Sequence, residues 1–164
     1  MPTVNEVLSH SLTNSSRLLN RFCEDLKPEE YLHRPTDGAN CVAWLIGHLV
    51  MTDRSALTRL AGPAADLPAL PEGFEKRFAR DAIAPGAESF GDVTILIPLL
   101  NQHRQRLIGL VRGLPAEVLE RPLDKPHPMF STVWEMLNFM SIHVSMHAGQ
   151  ISTIRRCLGR PPIM

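Results

Sequence analysis

Apolar residues in this chain return at three- and four-residue steps in four long stretches, and no segment alternates convincingly with period two. That pattern admits amphipathic helices and little else. The first stretch runs from about Val4 to Leu26, with Val4, Val7, Leu8, Ser11, Ser15, Leu18, Leu19, Phe22 and Leu26 on one face, and Pro28 and Pro35 break it. The second runs from an Asn40 cap to about Ala61, sharing a face among Val42, Leu45, Ile46, Leu49, Ala56, Leu57 and Leu60, and stops at Gly62-Pro63. A third, ending near Gly113, carries Val93, Leu96, Ile97, Leu100, His103, Leu107, Leu110 and Val111, with Pro98 expected to kink its first turns. The fourth opens on Thr132-x-x-Glu135, the spacing of a capping box, and ends at Gly159 before Pro161-Pro162.

Four such helices predict an all-α fold, a four-helix bundle in one domain spanning residues 1–164, with sites built inside from facing side chains. The connections are unequal. Residues 62–91 form a long, Ala-, Pro- and Gly-rich link between the second and third helices, in which only "FEKRFARD" reads as a helical turn. A faint internal echo is also present. "LKPEEYLHRP" before "CVAWLIGHLV" parallels "LPAEVLERPL" before "STVWEMLNFM", which suggests two related helix pairs.

Composition narrows the partners. Of 164 residues, 44% are hydrophobic, enough for a real core, and 17 basic residues balance 17 acidic ones. No positive field is available to draw nucleic acid or an anionic membrane, and the short basic cluster "STIRRCLGR" suits the C-terminal end of a helix dipole. Three cysteines without C-x-x-C spacing argue for a reducing compartment. With no signal-peptide pattern and no run of eighteen apolar residues, a cytoplasmic protein that binds no membrane is expected.

The fourth helix poses the chemical question. Met136, Met140, His143, His147, Ile151 and Ile154 form one stripe, so two imidazoles sit one turn apart where Leu or Ile would fit more easily. Buried and unpartnered, each would cost about 1–3 kcal/mol. Their Cβ atoms, ~5–6 Å apart, allow both rings to converge on one ion. His48, in "WLIGHLVM" on the border of the second helix's apolar face, would complete a three-histidine set and leave the ion an open position, as catalytic sites do. A pair of hydrogen-bonded core histidines and an ordinary helix histidine is the alternative reading.

Other residues are ambiguous. His103 lies on the third helix's apolar stripe and could face the same cavity, or be a core histidine. Asp53 could orient His48 or be solvated, and Gln150 could hydrogen-bond within the site or serve packing. His10, His33 and His127 read as surface residues, Met136, Met140 and Met146 as core filler, and Cys41 and Cys157 as buried small hydrophobes.

"W-L-I-G-H-L-V" together with "H-V-S-M-H-A-G-Q-I-S-T-I-R-R-C-L-G" resembles the DinB-like family, four-helix metalloenzymes related to bacterial low-molecular-weight-thiol S-transferases and mycothiol-dependent maleylpyruvate isomerases. The resemblance implies a divalent metal site on His48, His143 and His147, an up-down-down-up bundle and a homodimer. Nickel, zinc and other ions all occur in the family, so the metal is not fixed. On such a site a small thiol, whose free pKa of ~8.5 keeps it protonated at neutral pH, would be deprotonated and directed at an electrophilic small-molecule substrate. Metal-dependent hydrolysis is the alternative, since the same ion can polarise a carbonyl or activate water. A non-enzymatic metal-binding or stress-response protein is the alternative of another class. Arg77 and Arg80, in the long connection, would help hold an acidic co-substrate.

Overall fold

The computed structural model describes residues 1–62, 67–79 and 87–163. Four long helices dominate it: α1 (Val4–Cys23), α2 (Val42–Ala61), α4 (Leu96–Arg112) and α6 (Val133–Cys157). Between them lie two one-turn helices, α3 (Phe74–Arg77) and α5 (Ala116–Leu119), and short 3-10 turns at Pro28–Leu32, Ala87–Phe90 and Val93–Ile95. An unanticipated hairpin, β1 (Pro122–His127) with β2 (Phe130–Thr132), precedes α6, antiparallel and irregular between its Pro122–Thr132 and His127–Phe130 pairings. The two echoed Pro-Glu segments are indeed both short helical turns.

Local chemistry sets the helix ends. The capping box before α6 is present: Thr132 Oγ1 accepts from the Glu135 N–H, and the Glu135 carboxylate accepts from the Thr132 N–H at 3.0 Å. Thr3 and Glu6 build the same motif at α1. The cap of α2 is Cys41 rather than Asn40, without a side-chain bond. Pro98 falls in the first turn of α4, where an amide would have no intrahelical partner, so it helps begin the helix. Gly159, at φ 73°, closes the C-terminus of α6 in the left-handed region.

Two apolar clusters fix the topology. One gathers Leu19 and Phe22 of α1, Trp44 to Val50 of α2, Leu96 to Leu100 of α4 and Val144 to Ile154 of α6. The other gathers Leu8 and Leu12, Ala56 and Leu57, Leu107 and Val111, and Val133 to Met140 from the same four helices. The C-terminal ends of α1 and α6 therefore share one end of the bundle with the N-terminal ends of α2 and α4. This is the up-down-down-up arrangement. α1 lies between α6 and α4, α2 lies beside α4, and of the four neighbouring pairs α2 and α6 touch least. Salt bridges from Asp25 to Arg155 and Arg160, and from Glu30 to Arg160, tie the end of α6 to the turn after α1, so two cations of "STIRRCLGR" have acidic partners.

Between the clusters lies a polar layer to which every long helix contributes: Ser15, Asp53, His103 with Arg104, and Ser141. At its centre Arg104 donates from Nε and Nη2 to the two carboxylate oxygens of Asp53, both at 2.7 Å, with the pair 2% and 0% exposed. Burial pushes the Asp53 carboxyl up to about 6 against the pull of the guanidinium, which leaves it ionised at neutral pH.

Some apolar residues lie outside. Val4, Val7 and Met146 are exposed, and Cys157 is an exposed thiol rather than a buried one. Gly47 is explained by contact: Phe78, from the segment after α2, lies flat against the helix backbone, and a Cβ at position 47 would overlap its ring.

Removing one partner of the central pair leaves the other charge buried and alone. Asp53→Ala is expected to cost about 3–5 kcal/mol, whereas Asp53→Leu combined with Arg104→Met costs much less. Urea unfolding of both variants checks this, and an equally mild effect of the single change would contradict the role given to the pair.

Candidate metal centre

His48 comes from α2, and His143 and His147 from consecutive turns of α6, across the seam where those two helices pack least closely. One ring nitrogen of each lies within 4.8 Å of the others. His143 Nε2 and His147 Nε2 are 2.9 Å apart. Two nitrogens bound at ~2.1 Å to one ion at the tetrahedral angle would be separated by about 3.4 Å, so ring rotations that move the nitrogens by a few tenths of an ångström would bring this pair to ligation. His48 stands edge-on to both partners, with ring centroids 5.2 and 5.4 Å away. Its other flank is covered by Trp44, stacked at 4.9 Å and 5° one turn earlier on α2.

A neighbour sets the protonation pattern. Gln150 Oε1 lies 2.7 Å from His147 Nδ1. An amide oxygen only accepts, so His147 carries its proton on Nδ1 and turns the Nε2 lone pair toward His143. In the metal-free chain His143 Nε2–H donates to that lone pair, and holding an ion requires the proton to move to His143 Nδ1. Burial, then the imidazoles of His147 and His48, then the Arg104 guanidinium push His143 down to about 4. Burial also lowers His147, against the opposing hydrogen bond to Gln150. Neutral rings are what metal ligation requires. The donor set therefore fits a divalent ion that accepts imidazole nitrogen, and His48 and His143, each half-buried, leave the group open on one side.

The remaining candidates separate. Gln150 joins the group through His147. Asp53 neither orients His48 nor meets solvent, because Arg104 occupies both its oxygens. His103 is fully buried, donates from Nδ1 to the Leu99 carbonyl at 2.9 Å, and contributes no atom to the histidine group. Arg77 folds back on the carbonyls of Gly73 and Glu72, which leaves it poorly placed to hold a co-substrate, and Arg80 lies outside the described residues. Sequence reasoning missed Arg104, whose third nitrogen, Nη1, is buried without a partner, and the aromatic wall that leads from His127 and Phe130 of the hairpin through Phe139 to His143. A cavity of about 630 Å³ between α1 and the start of α4 is lined by none of the three histidines.

Because the folded chain holds His143 near 4 while an unfolded imidazole titrates near ~6.5, the unfolded state binds more protons between those values. The stability that neutral His143 contributes is present above that window and is lost as pH falls through it. Asp53 works in the opposite sense, taking up a proton in the fold near 6. The comparison that isolates His143 is therefore chelator-treated wild type against His143→Gln. The wild type is expected to lose melting temperature faster from pH 6.5 to 4.5, and parallel curves would refute the account.

A family model for the DinB superfamily matches residues 11–151. No curated protein sequence matches the chain. Among solved structures, a conserved protein from Enterococcus faecalis is 17% identical with a TM-score of 0.68, over 98% of this chain and 100% of that one. YfiT from Bacillus subtilis, described as a probable metal-dependent hydrolase with an unusual four-helix bundle topology, is 18% identical with a TM-score of 0.70, over 96% of this chain and 89% of its own. These two likenesses concern the fold. With the family model spanning most of the sequence, from α1 into α6, the chain belongs to the DinB superfamily.

Proposed function

We propose that His48, His143 and His147 hold a divalent metal ion and that the site activates a small thiol for transfer to an electrophilic substrate. The observation that carries the metal reading is the convergence of three ring nitrogens from two helices within 4.8 Å, on a half-open face. When bound, such an ion supplies Lewis acidity, lowering the pKa of a coordinated thiol or water. Gln150 keeps His147 in the ligating tautomer, and Trp44 holds the plane of His48.

The choice between thiol and water rests on what surrounds the rings. A hydrolytic site gains from a general base beside the ion. Asp53 is locked to Arg104, His103 lies outside the group, and Gln150 is not a base. A thiol deprotonated by coordination needs no such base. Hydrolysis is the second reading, favoured by the description of YfiT as a probable metal-dependent hydrolase. A purely structural ion would sit in a closed site, whereas two of these three imidazoles are half-exposed.

Elemental analysis of protein purified without an affinity tag, alongside His147→Ala, tests the metal. One divalent ion per chain is expected in the wild type and none in the variant, while a loss of stability with unchanged metal content would mark His147 as packing. The metal-loaded protein is then expected to conjugate one of bacillithiol, mycothiol or glutathione to an electrophile; ester or amide cleavage without conjugation would transfer the assignment to hydrolysis.

The reading extends to setting and assembly. Cys23, Cys41 and Cys157 are free thiols, as in a reducing cytoplasm, and no described helix is long and apolar enough to cross a membrane. Trp134, Ile142 and Met146, at multiples of four residues along the outer side of α6 and 41–54% exposed, form the face we assign to a second copy of the chain. Sedimentation is expected to give a dimer for the wild type and a monomer for Ile142→Glu with Met146→Glu; a monomeric wild type discards the assignment.

A further inference from the structure

The side of α2 that carries Trp44 and His48 continues toward its C-terminus as Met51, Ser55 and Arg59, at steps of three and four residues. Burial separates this stripe from the core face. Leu45, Leu49, Ala56 and Leu57 are inside, whereas Met51 is half-buried and Ser55 and Arg59 are exposed. Two other elements rise beside the stripe: Glu75 of α3, and Asp124 with Lys125 of β1. Together they bound a cavity of about 490 Å³, within the range that takes a small organic ligand. At ~1.5 Å per residue, Arg59 lies about 16 Å along the helix from His48.

The groove's charges favour an anion. Arg54, Arg59 and Lys125 face two carboxylates, Glu75 and Asp124. Arg54 is engaged, donating to the Pro68 carbonyl at 2.9 Å and standing 3.8 Å from Glu75. Among the described residues no ion pair engages Arg59 or Lys125. These two cations rise from different elements, one from the α2 floor and one from the β1 wall. None of the three histidines lines this groove; Met51, three residues beyond His48 on α2, is the lining residue nearest to them in sequence.

We propose that this groove seats the anionic tail of the thiol co-substrate, with its carboxylate held by Arg59 and Lys125 and its sulfur directed to His48, His143 and His147. The assignment of the sulfur rests on the metal reading above; the assignment of the tail rests on the groove. The co-substrate class is therefore a cysteinyl thiol with a carboxylate on the adjoining residue, as in glutathione, the Arg59 and Lys125 side chains reaching back along the groove past Ser55 and Met51 to meet it.

Titration calorimetry with three probes, glutathione, S-methylglutathione and cysteamine, tests both parts on metal-loaded and chelator-treated protein. In Arg59→Glu with Lys125→Glu, two changes at exposed positions, glutathione affinity is expected to fall about tenfold or more and to lose most of its dependence on salt. Metal content, melting temperature and the binding of cysteamine, which has no carboxylate, stay unchanged. Equal glutathione affinity in wild type and variant, no measurable glutathione binding by the wild type, or glutathione binding no tighter than cysteamine would each overturn the proposal. S-methylglutathione keeps the tail and blocks the thiol, so it is expected to bind more weakly than glutathione to loaded protein yet respond equally to the charge reversal. If both tripeptides bind alike and both respond, the tail site stands and the metal reading fails.

Discussion

The pair formed by Asp53 and Arg104 is the constraint on which the site's geometry depends. A parallel α2 and α4 cannot be joined by a tight turn, so their relative height has to be set by contacts made after the chain has crossed the bundle. The buried carboxylate and guanidinium set it. A shift of one helix by a turn, about 5.4 Å, would leave two opposite charges unpaired in the bundle centre. Such a pair adds little net stability over well-packed apolar residues. Its effect is on register. Asp53 is five residues beyond His48, about 140° around α2, so fixing one toward α4 turns the other toward α6.

This explains why the histidine cluster sits where packing is thinnest. α2 is anchored on its α4 side by the ion pair and by apolar residues of both clusters, and α6 is anchored on α1, with the Asp25, Glu30, Arg155 and Arg160 network at its end. The fourth seam, between α2 and α6, is left to three imidazoles, with the stacked Trp44 on one side and Phe139 on the other. Close apolar packing there would have no room for a ligand. The hairpin before α6 then flanks the seam, bringing Phe130 onto Phe139 and Lys125 toward the face of α2.

Much of this was legible from short-range pattern. Helical periodicity, the Thr132–Glu135 box and the stops at Gly62 and Gly159 depend on neighbours within a turn, and the structure reproduces them. His143 and His147 were visible for the same reason, four residues apart on one stripe. What stayed hidden depends on distance along the chain. Asp53 finds its partner 51 residues away, and no local feature of Arg104 marks it as buried. The hairpin was missed because its strands, of 6 and 3 residues, are short and pair irregularly, so no period-two alternation marks them. On α1 the expected face began at Val4 and Val7, but the buried one runs through Leu8, Leu12, Ser15 and Leu19, because only α4 and α6 decide which side is inside. Met146 and Cys157 were misplaced similarly.

The electrostatics of the seam then bear on what it accepts. Asp53 and Arg104 cancel one another, and Gln150 is uncharged, so the residues holding or orienting the imidazoles supply no negative charge to a bound ion. A site built from three neutral nitrogens leaves the charge of a divalent cation uncompensated, in surroundings where Coulomb interactions are stronger than in water. The balance has to come from the ligand. A thiol that lost its proton on coordination would supply one negative charge at the ion itself, whereas a carboxylate at Arg59 and Lys125 would be screened from the ion and would answer those two cations instead. A neutral ligand bound alone would leave the cation unbalanced, which is the physical reason three neutral imidazoles favour a ligand that becomes anionic at the ion.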